Sequence, residues 1–218
     1  MLSQRVQEPT ASRRAEVLRA SPPMFDSPLL DALSRVHPAV PVLIFAPAIA
    51  VLAATALGGI DAPTTAALIF GGYAFWTLTE YWMHRLIFHF EPVDGPGARL
   101  HWIIHGVHHD HPNDPMRLVM PPSVSIPLAL TFLGLFVLVL GTPTAFAVAA
   151  GFYGGYLIYD MTHYHMHHHR SRTRLGKFLR EQHMRHHFQD DTRGFGVSAP
   201  FWDVVFGTAP RSRRDERA

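Results

Sequence analysis

Two long stretches of this chain are almost free of charge. From Pro38 to Thr79 the only charged residue in 42 positions is Asp61, and the 42 positions from Leu118 to Tyr159 carry none. A hydrocarbon core about 30 Å thick needs roughly 20 helical residues, so each stretch can hold two spans joined by a tight turn. Glycine and proline mark the turns, Gly58-Gly59-Ile60-Asp61-Ala62-Pro63 in the first and Gly141-Thr142-Pro143 in the second. The pattern predicts helices near 38–57, 64–83, 122–140 and 144–161. That is an all-α integral membrane protein, four spans in two hairpins. Soluble amphipathic helices keep a charged face, which these lack. Residues 27–36 predict a short surface helix with Leu29, Leu30 and Leu33 turned toward lipid.

Charge sets the expected orientation. Of nineteen Lys and Arg, none lies between 36 and 84 or between 118 and 169. Short loops rich in these residues stay cytoplasmic. Both termini and the polar segments 84–117 and 162–208 are therefore expected on the cytoplasmic side, with both hairpin tips opposite. In a bacterium the membrane would be the inner one. Residues 1–37 read as a polar tail, whose first 20 residues lack the apolar core of a signal peptide. Residues 38–208 read as the working domain and 209–218 as a basic tail.

Composition removes several function classes. The mean hydropathy is only +0.07 with 48% hydrophobic residues, an average over membrane-like and polar parts. There is no cysteine, so disulfide frameworks, zinc fingers, thiolate-held clusters and Cys nucleophiles are out. The arginines come without a helix-turn-helix or an aromatic RNA-binding pattern, so nucleic acid is not an expected partner.

The histidines carry the chemistry. Fifteen of the sixteen lie between 84 and 187, in four clusters. Residues three and four apart share a helix face. On that rule His105, His108 and His109 converge, as do His163 with His167, and His183 with His186 and His187. His101 joins the second group four residues earlier. His84 and His89 are five apart, and meet only if a bulge turns the chain or His89 lies beyond the helix end. Neutral imidazole is a common ligand for iron, zinc and copper. So many converging rings exceed the four ligands of one tetrahedral site, and two metal ions use the number better. His111, His165 and His169 fall off the shared faces, and His37 reads as interfacial.

Five motifs in order then resemble one family. Glu80-Tyr81-Trp82-Met83-His84-Arg85-Leu86-Ile87-Phe88-His89 is similar to the first histidine box of the membrane fatty acid hydroxylase and sterol desaturase superfamily. His101-Trp102-Ile103-Ile104-His105-Gly106-Val107-His108-His109 is similar to the second. Arg117-Leu118-Val119-Met120-Pro121-Pro122, Tyr159-Asp160-Met161-Thr162-His163 and His183-Met184-Arg185-His186-His187 resemble its fatty acid 2-hydroxylase branch. So does the ending from Gly194 to Thr208.

The resemblance implies a four-span base under a helical cytoplasmic cap with a dinuclear site. It carries the ligand role to His84, His89, His105, His108, His109, His163, His167, His183, His186 and His187. His101 and His168 fit the pattern either as ligands or as residues behind them. Many eukaryotic relatives carry an N-terminal cytochrome b5 domain. Here 37 residues precede the first span, and His37-Pro38-Ala39-Val40 lacks the glycines of a haem-ligand loop. A separate cytochrome b5-like or ferredoxin-like donor is therefore expected.

Inserting oxygen into an unactivated C–H bond needs O2 and a redox metal. Two Fe ions are expected, with zinc, which has no redox chemistry, only as a substitute. The substrate is expected to be a fatty-acyl lipid from the bilayer, hydroxylated at carbon 2, with Tyr156, Tyr159 and Asp160 near its polar end. Glu80 and Asp160 should support ligand histidines or the substrate, or pair with Arg85 or a neighbour. Trp202, Asp203 and Arg117 read as packing residues of the cap. Two alternatives are a carotenoid ring or sterol hydroxylase or desaturase of the same superfamily, and a membrane metal-binding or transport protein. Transport predicts ionisable residues along the spans, which are nearly bare of them.

Overall fold

The computed structural model describes residues 11–211, and among these the regular structure is entirely helical. Ten α-helices follow in order: α1 Ala11–Arg19, α2 Pro28–Leu33, α3 Ala39–Leu57, α4 Ala62–Met83, α5 Gly95–His101, α6 Val107–Asp110, α7 Pro122–Leu140, α8 Thr144–His168, α9 Arg174–Phe188 and α10 Phe201–Val205. Two five-residue π turns interrupt them, His84–Phe88 directly after α4 and Trp102–Gly106 between α5 and α6.

Local sequence explains the long helices. Asp61 caps α4 by accepting from Thr64 N at 3.0 Å, and Pro63 sits in the first turn where its missing N–H costs nothing. Gly141 ends α7 at φ +67°, a conformation that suits glycine. Each of the four expected span regions is occupied by one long helix. α3 and α7 are long and apolar enough to cross a membrane, each with hydropathy 2.4 over its best window. α4 and α8, at 22 and 25 residues, are less apolar because they carry Glu80, and Asp160 with a run of histidines. They also form the inside of the bundle, whereas α3 and α7 lie outside.

α8 is the axis. α4 and α3 pack against it, and α7 lies on it more loosely. The α4–α8 contact is built on backbone. A Cβ on Gly72 would stand 2.1 Å from Val148 O, and one on Gly151 would stand 1.9 Å from Ile69 O. Farther along, Phe45, Trp76, Phe152, Tyr153, Tyr156 and Tyr159 make an aromatic core. At the opposite end from the histidines the two hairpin tips touch, since a Cβ on Gly59 would lie 2.7 Å from Pro143 Cγ. Both tips therefore share one end of the bundle.

The N-terminal segment departs from the expected plain tail. Residues 11–19 form α1, and their neighbours are tied to the cap by backbone carbonyls. Val17 O accepts from His111 Nδ1 at 2.6 Å, Leu18 O from Asn113 N at 2.9 Å, and Pro22 O from Arg117. The physical reason is local: carbonyls left open near the end of a short helix are met by donors of the cap. α2 is shorter than expected, with Leu29, Leu30 and Leu33 all exposed on one side. Residues 1–10 of the tail and 212–218 of the basic C-terminus lie outside the described residues.

Candidate metal centre

The ten histidines to which the resemblance carries the ligand role gather in two sets of five. His84, His89, His105, His109 and His186 form one, and His108, His163, His167, His183 and His187 the other. Within each set one ring nitrogen per residue lies within 4.8 Å of all the rest. Each half of the polar cap lends a residue to the other. His186 leaves α9 to complete the set built by residues 84–109, and His108 leaves α6 to complete the set built by residues 163–187.

The π turns produce this convergence. In the first, His89 N donates to His84 O at 3.1 Å, an i→i+5 bond. That wider turn brings residues five apart onto one face, and the two ring centroids are 5.0 Å apart. The bulge that the His84–His89 spacing required is therefore present. The second π turn adds a residue between His101 and His105, which turns His101 away from the set. His101 Nε2 faces Glu91 Oε1 at 3.8 Å instead and joins neither group. His168 also stays out, its ring 4.4 Å from that of Tyr164. His165 stacks on His169 in the open, and His37 is exposed.

The donor atoms fit a cation. Nε2–Nε2 separations are 3.2 Å for His84–His105, 3.1 Å for His105–His109 and 3.1 Å for His89–His186. In the second set they are 2.8 Å for His167–His183, 3.1 Å for His183–His187 and 3.1 Å for His108–His187. A metal about 2.1 Å from each nitrogen places neighbouring nitrogens about 3.0–3.4 Å apart. Tautomers agree where they are fixed. Phe195 O and Arg193 O can only accept, so His84 Nδ1 (2.8 Å) and His186 Nδ1 (2.7 Å) donate to them. The neutral ring then has its lone pair on Nε2, facing its neighbours. His163 Nε2 is buried without a hydrogen-bond partner, an orphan that a cation would satisfy.

Electrostatics keep these rings neutral. Burial, then repulsion from neighbouring imidazoles, holds His84, His105, His108, His163, His167, His183 and His187 well below the ordinary 6.5. Burial brings His89 down to about 3 and also lowers His186, where the bond to Arg193 O and nearby Asp190 and Asp191 pull the other way. Neutral imidazole is the form that binds metal.

One support was invisible in the motifs. Asp203, expected only to pack, accepts from Phe195 N and Gly196 N at 2.9 Å each and from Thr208 Oγ1 at 2.8 Å. It thereby fixes the loop whose Phe195 carbonyl orients His84. Tyr81 Oη bonds to Thr208 Oγ1 at 2.8 Å and accepts from Arg85 at 3.0 Å, extending the chain of contacts to α4. Glu80 meets neither a ligand histidine nor Arg85. It accepts from Ser198 N at 2.7 Å and from the Ser198 hydroxyl, pinning the same loop. Arg117 packs as expected, buried with its Nη2 2.7 Å from Asp31 Oδ1.

Below the histidines an apolar cleft opens between the helices, lined among others by Trp76, Met83, Met120, Ser125, Phe132 and Tyr156. Met83 adjoins His84. Tyr156 Oη donates to Asp160 Oδ2 at 3.1 Å, and the Tyr159 ring lies 5.7 Å from that of His163. The polar group of Tyr156 and Asp160 therefore stands where the cleft approaches the second histidine set.

A profile of the family described as fatty acid hydroxylase matches residues 69–208, which include all ten histidines. The chain belongs to the fatty acid hydroxylase family. Among relatives, a dihydroceramide fatty acyl 2-hydroxylase of Arabidopsis thaliana, FAH2, is 35% identical over 190 residues, 87% of this chain and 80% of that protein. The fatty acid 2-hydroxylase of Mus musculus is 38% identical across 63% of this chain and 38% of its own length. This hydroxylase-family chain thus spans well under half of the mammalian relative. The solved hydroxylase domain of scs7p superposes with a TM-score of 0.80 at 34% identity, covering 84% of this chain and 71% of that one.

Proposed function

We propose that this protein is a membrane-embedded di-iron monooxygenase that hydroxylates a fatty-acyl lipid at carbon 2. The observation that carries the reading is the pair of five-histidine sets, beside an apolar cleft whose wall includes Met83, the residue before His84. The reaction joins R–H, O2, two electrons and two protons to give R–OH and water. The ten histidines of the two sets are the ligands, and iron bound there would supply O2 activation and removal of the C–H hydrogen. Zinc in a purified sample would be a substitute, and the electrons come from a separate carrier protein.

The chain's own residues do the positioning. The cleft holds the first part of the acyl chain, and the spans keep water from it, so the reacting carbon is presented in one orientation. Tyr156, with its hydroxyl already turned to Asp160, and Tyr159 receive the polar end. A carbonyl held there presents carbon 2 to the second set, while mid-chain carbons lie deeper among Phe132 and Phe152. Main-chain carbonyls of Phe195 and Arg193 keep protons on Nδ1 of His84 and His186, so Nε2 stays free.

In this reading α3, α4, α7 and α8 all cross the bilayer. The shared end of the two tips and the absence of Lys and Arg around them support one common side for the tips, with cap and termini cytoplasmic.

Lipid mass spectrometry of cells with and without the expressed gene tests the function. The expected result is one added oxygen on an acyl chain, at carbon 2. A mid-chain hydroxyl, or oxygen on a sterol or carotenoid ring, overturns it.

A further inference from the structure

The corner between α8 and α9 carries a cluster of cations without partners. Arg170, Arg172, Arg174 and Lys177 are all exposed, and among the described residues none of them makes an ion pair. No acidic residue occurs from His169 to Arg180. Between the cations stand Leu175, 67% exposed, and Phe178, 47% exposed. The other face of α9 turns His183 and His186 inward. Apolar side chains ringed by unpaired charge form the kind of surface on which proteins dock.

We propose that this corner docks the electron donor, and that the donor is an acidic one-electron carrier protein. The proposal rests on the monooxygenase reading, whose balance requires two electrons that the chain itself does not hold. The carrier is oxidised one electron at a time, and the electrons enter at the histidine sets.

Position leaves the corner open to a soluble protein. α8 is 25 residues long, or about 37 Å at 1.5 Å per residue. The headgroup layer adds only about 5–8 Å to each side of the hydrocarbon. With about 30 Å of α8 in hydrocarbon, its last roughly 7 Å carry the corner to the outer edge of the headgroup layer, where it meets water.

The corner is also close to the ligands. Arg170 follows His167 by three residues, at most about 11 Å of chain. Lys177 precedes His183 by six, about 9 Å of helix. Arg180 Nε donates to Met166 O at 2.9 Å and ties the two helices together beside the second set.

The charge is asymmetric across the cap. At the far end of α9, Glu91 and Asp191 lie exposed beside His89. Arg185 and Arg193 at that end are each paired with an acid, Glu181 and Asp190, so the unpaired positive charge that steers an acidic carrier is concentrated at the α8–α9 corner.

The test uses the full-length protein in detergent, with two acidic probes: the soluble haem domain of a cytochrome b5 and a [2Fe–2S] ferredoxin. Affinity is measured by calorimetry at low and high salt. Wild type should bind at least one probe and weaken as salt rises. The triple variant Arg172→Glu, Arg174→Glu, Lys177→Glu should bind at least tenfold more weakly, with a flatter salt dependence and unchanged metal content. Folding is not at risk, because a carboxylate in the first turn of α9 suits the helix dipole. Phe178→Ser should lower affinity without changing the salt slope. Unchanged affinity in the triple variant, or no binding of either probe to wild type, overturns the proposal. So does a triple variant that keeps both carriers and loses only its binding to phosphatidylserine vesicles. Salt-sensitive carrier binding without any hydroxylated product would uphold the docking surface and count against the monooxygenase reading.

Discussion

His89 N–H donates across five residues to the carbonyl of His84, and both rings enter the same five-histidine set. An α-helix achieves the same facing with four residues. Deleting Ile87, which is exposed, should let the π turn relax to α-helix and retain two bound metals. Inserting one alanine between Arg85 and Phe88 should swing His89 off the face by about 100° and halve the metal content. Metal analysis of the two purified variants decides the matter; equal loss in both would show that the π turn itself is required.

Asp203 acts on His84 through the backbone of Phe195. Asp203→Ala leaves two buried N–H groups and the Thr208 hydroxyl without their acceptor. Metal affinity of the first set should fall about 10–100-fold, with much less effect on the second. Competition with a graded series of chelators measures this, and His37→Ala should leave both affinities unchanged.

Gly151 tests the backbone contact between α4 and α8. Its Cβ would meet a carbonyl oxygen that cannot move without its helix. Gly151→Ala should cost about 1–3 kcal/mol or more, seen as a lower thermal midpoint in detergent. Gly154→Ala is the control, because nothing lies within 4 Å of a Cβ there.

Asp160 is where the proposed substrate handling can be separated from metal binding. Asp160→Asn keeps the size of the residue and removes the charge that Tyr156 contacts. Turnover should fall at least tenfold while both metals stay bound, read by product formation beside metal analysis. Coincident loss of metal and turnover would return Asp160 to a structural role.

Acid should weaken the metal-free protein in a defined direction. The buried imidazoles sit below 6.5 in the fold, about 3 for His89. The unfolded chain takes up protons near 6.5 that the folded one refuses, so stability is complete above that pH and falls as pH drops through it. Each such histidine contributes a slope of up to about 1.4 kcal/mol per pH unit. Chelated protein should show a steep fall in thermal midpoint from pH 6.5 toward 5, and a flat profile would contradict the burial of these rings.

Hydropathy made the helices legible, because a charge-free run of about 20 residues has few other uses. The ten histidines were legible from spacing and motif together. Their division was not: His108 and His109 are neighbours in sequence, yet they point into different sets, and only the rings they meet from α8 and α9 decide which goes where. His101 fitted the i,i+4 rule and failed it because of a π turn that helix periodicity does not announce. Asp203 was missed because it works on a main-chain carbonyl, and no side-chain pattern records that. α1 was missed because a short polar helix held by its own carbonyls leaves no hydropathy signal.

Because His108 and His186 are exchanged, each five-histidine set closes only when both halves of the cap are in place. Neither half of the cap can gather five nitrogens alone. A chain whose second hairpin has not yet closed on the first offers at most four imidazoles in either place, and a metal ion captured then is held less firmly. On the proposed reading, tight metal retention thus reports that both halves have met in register.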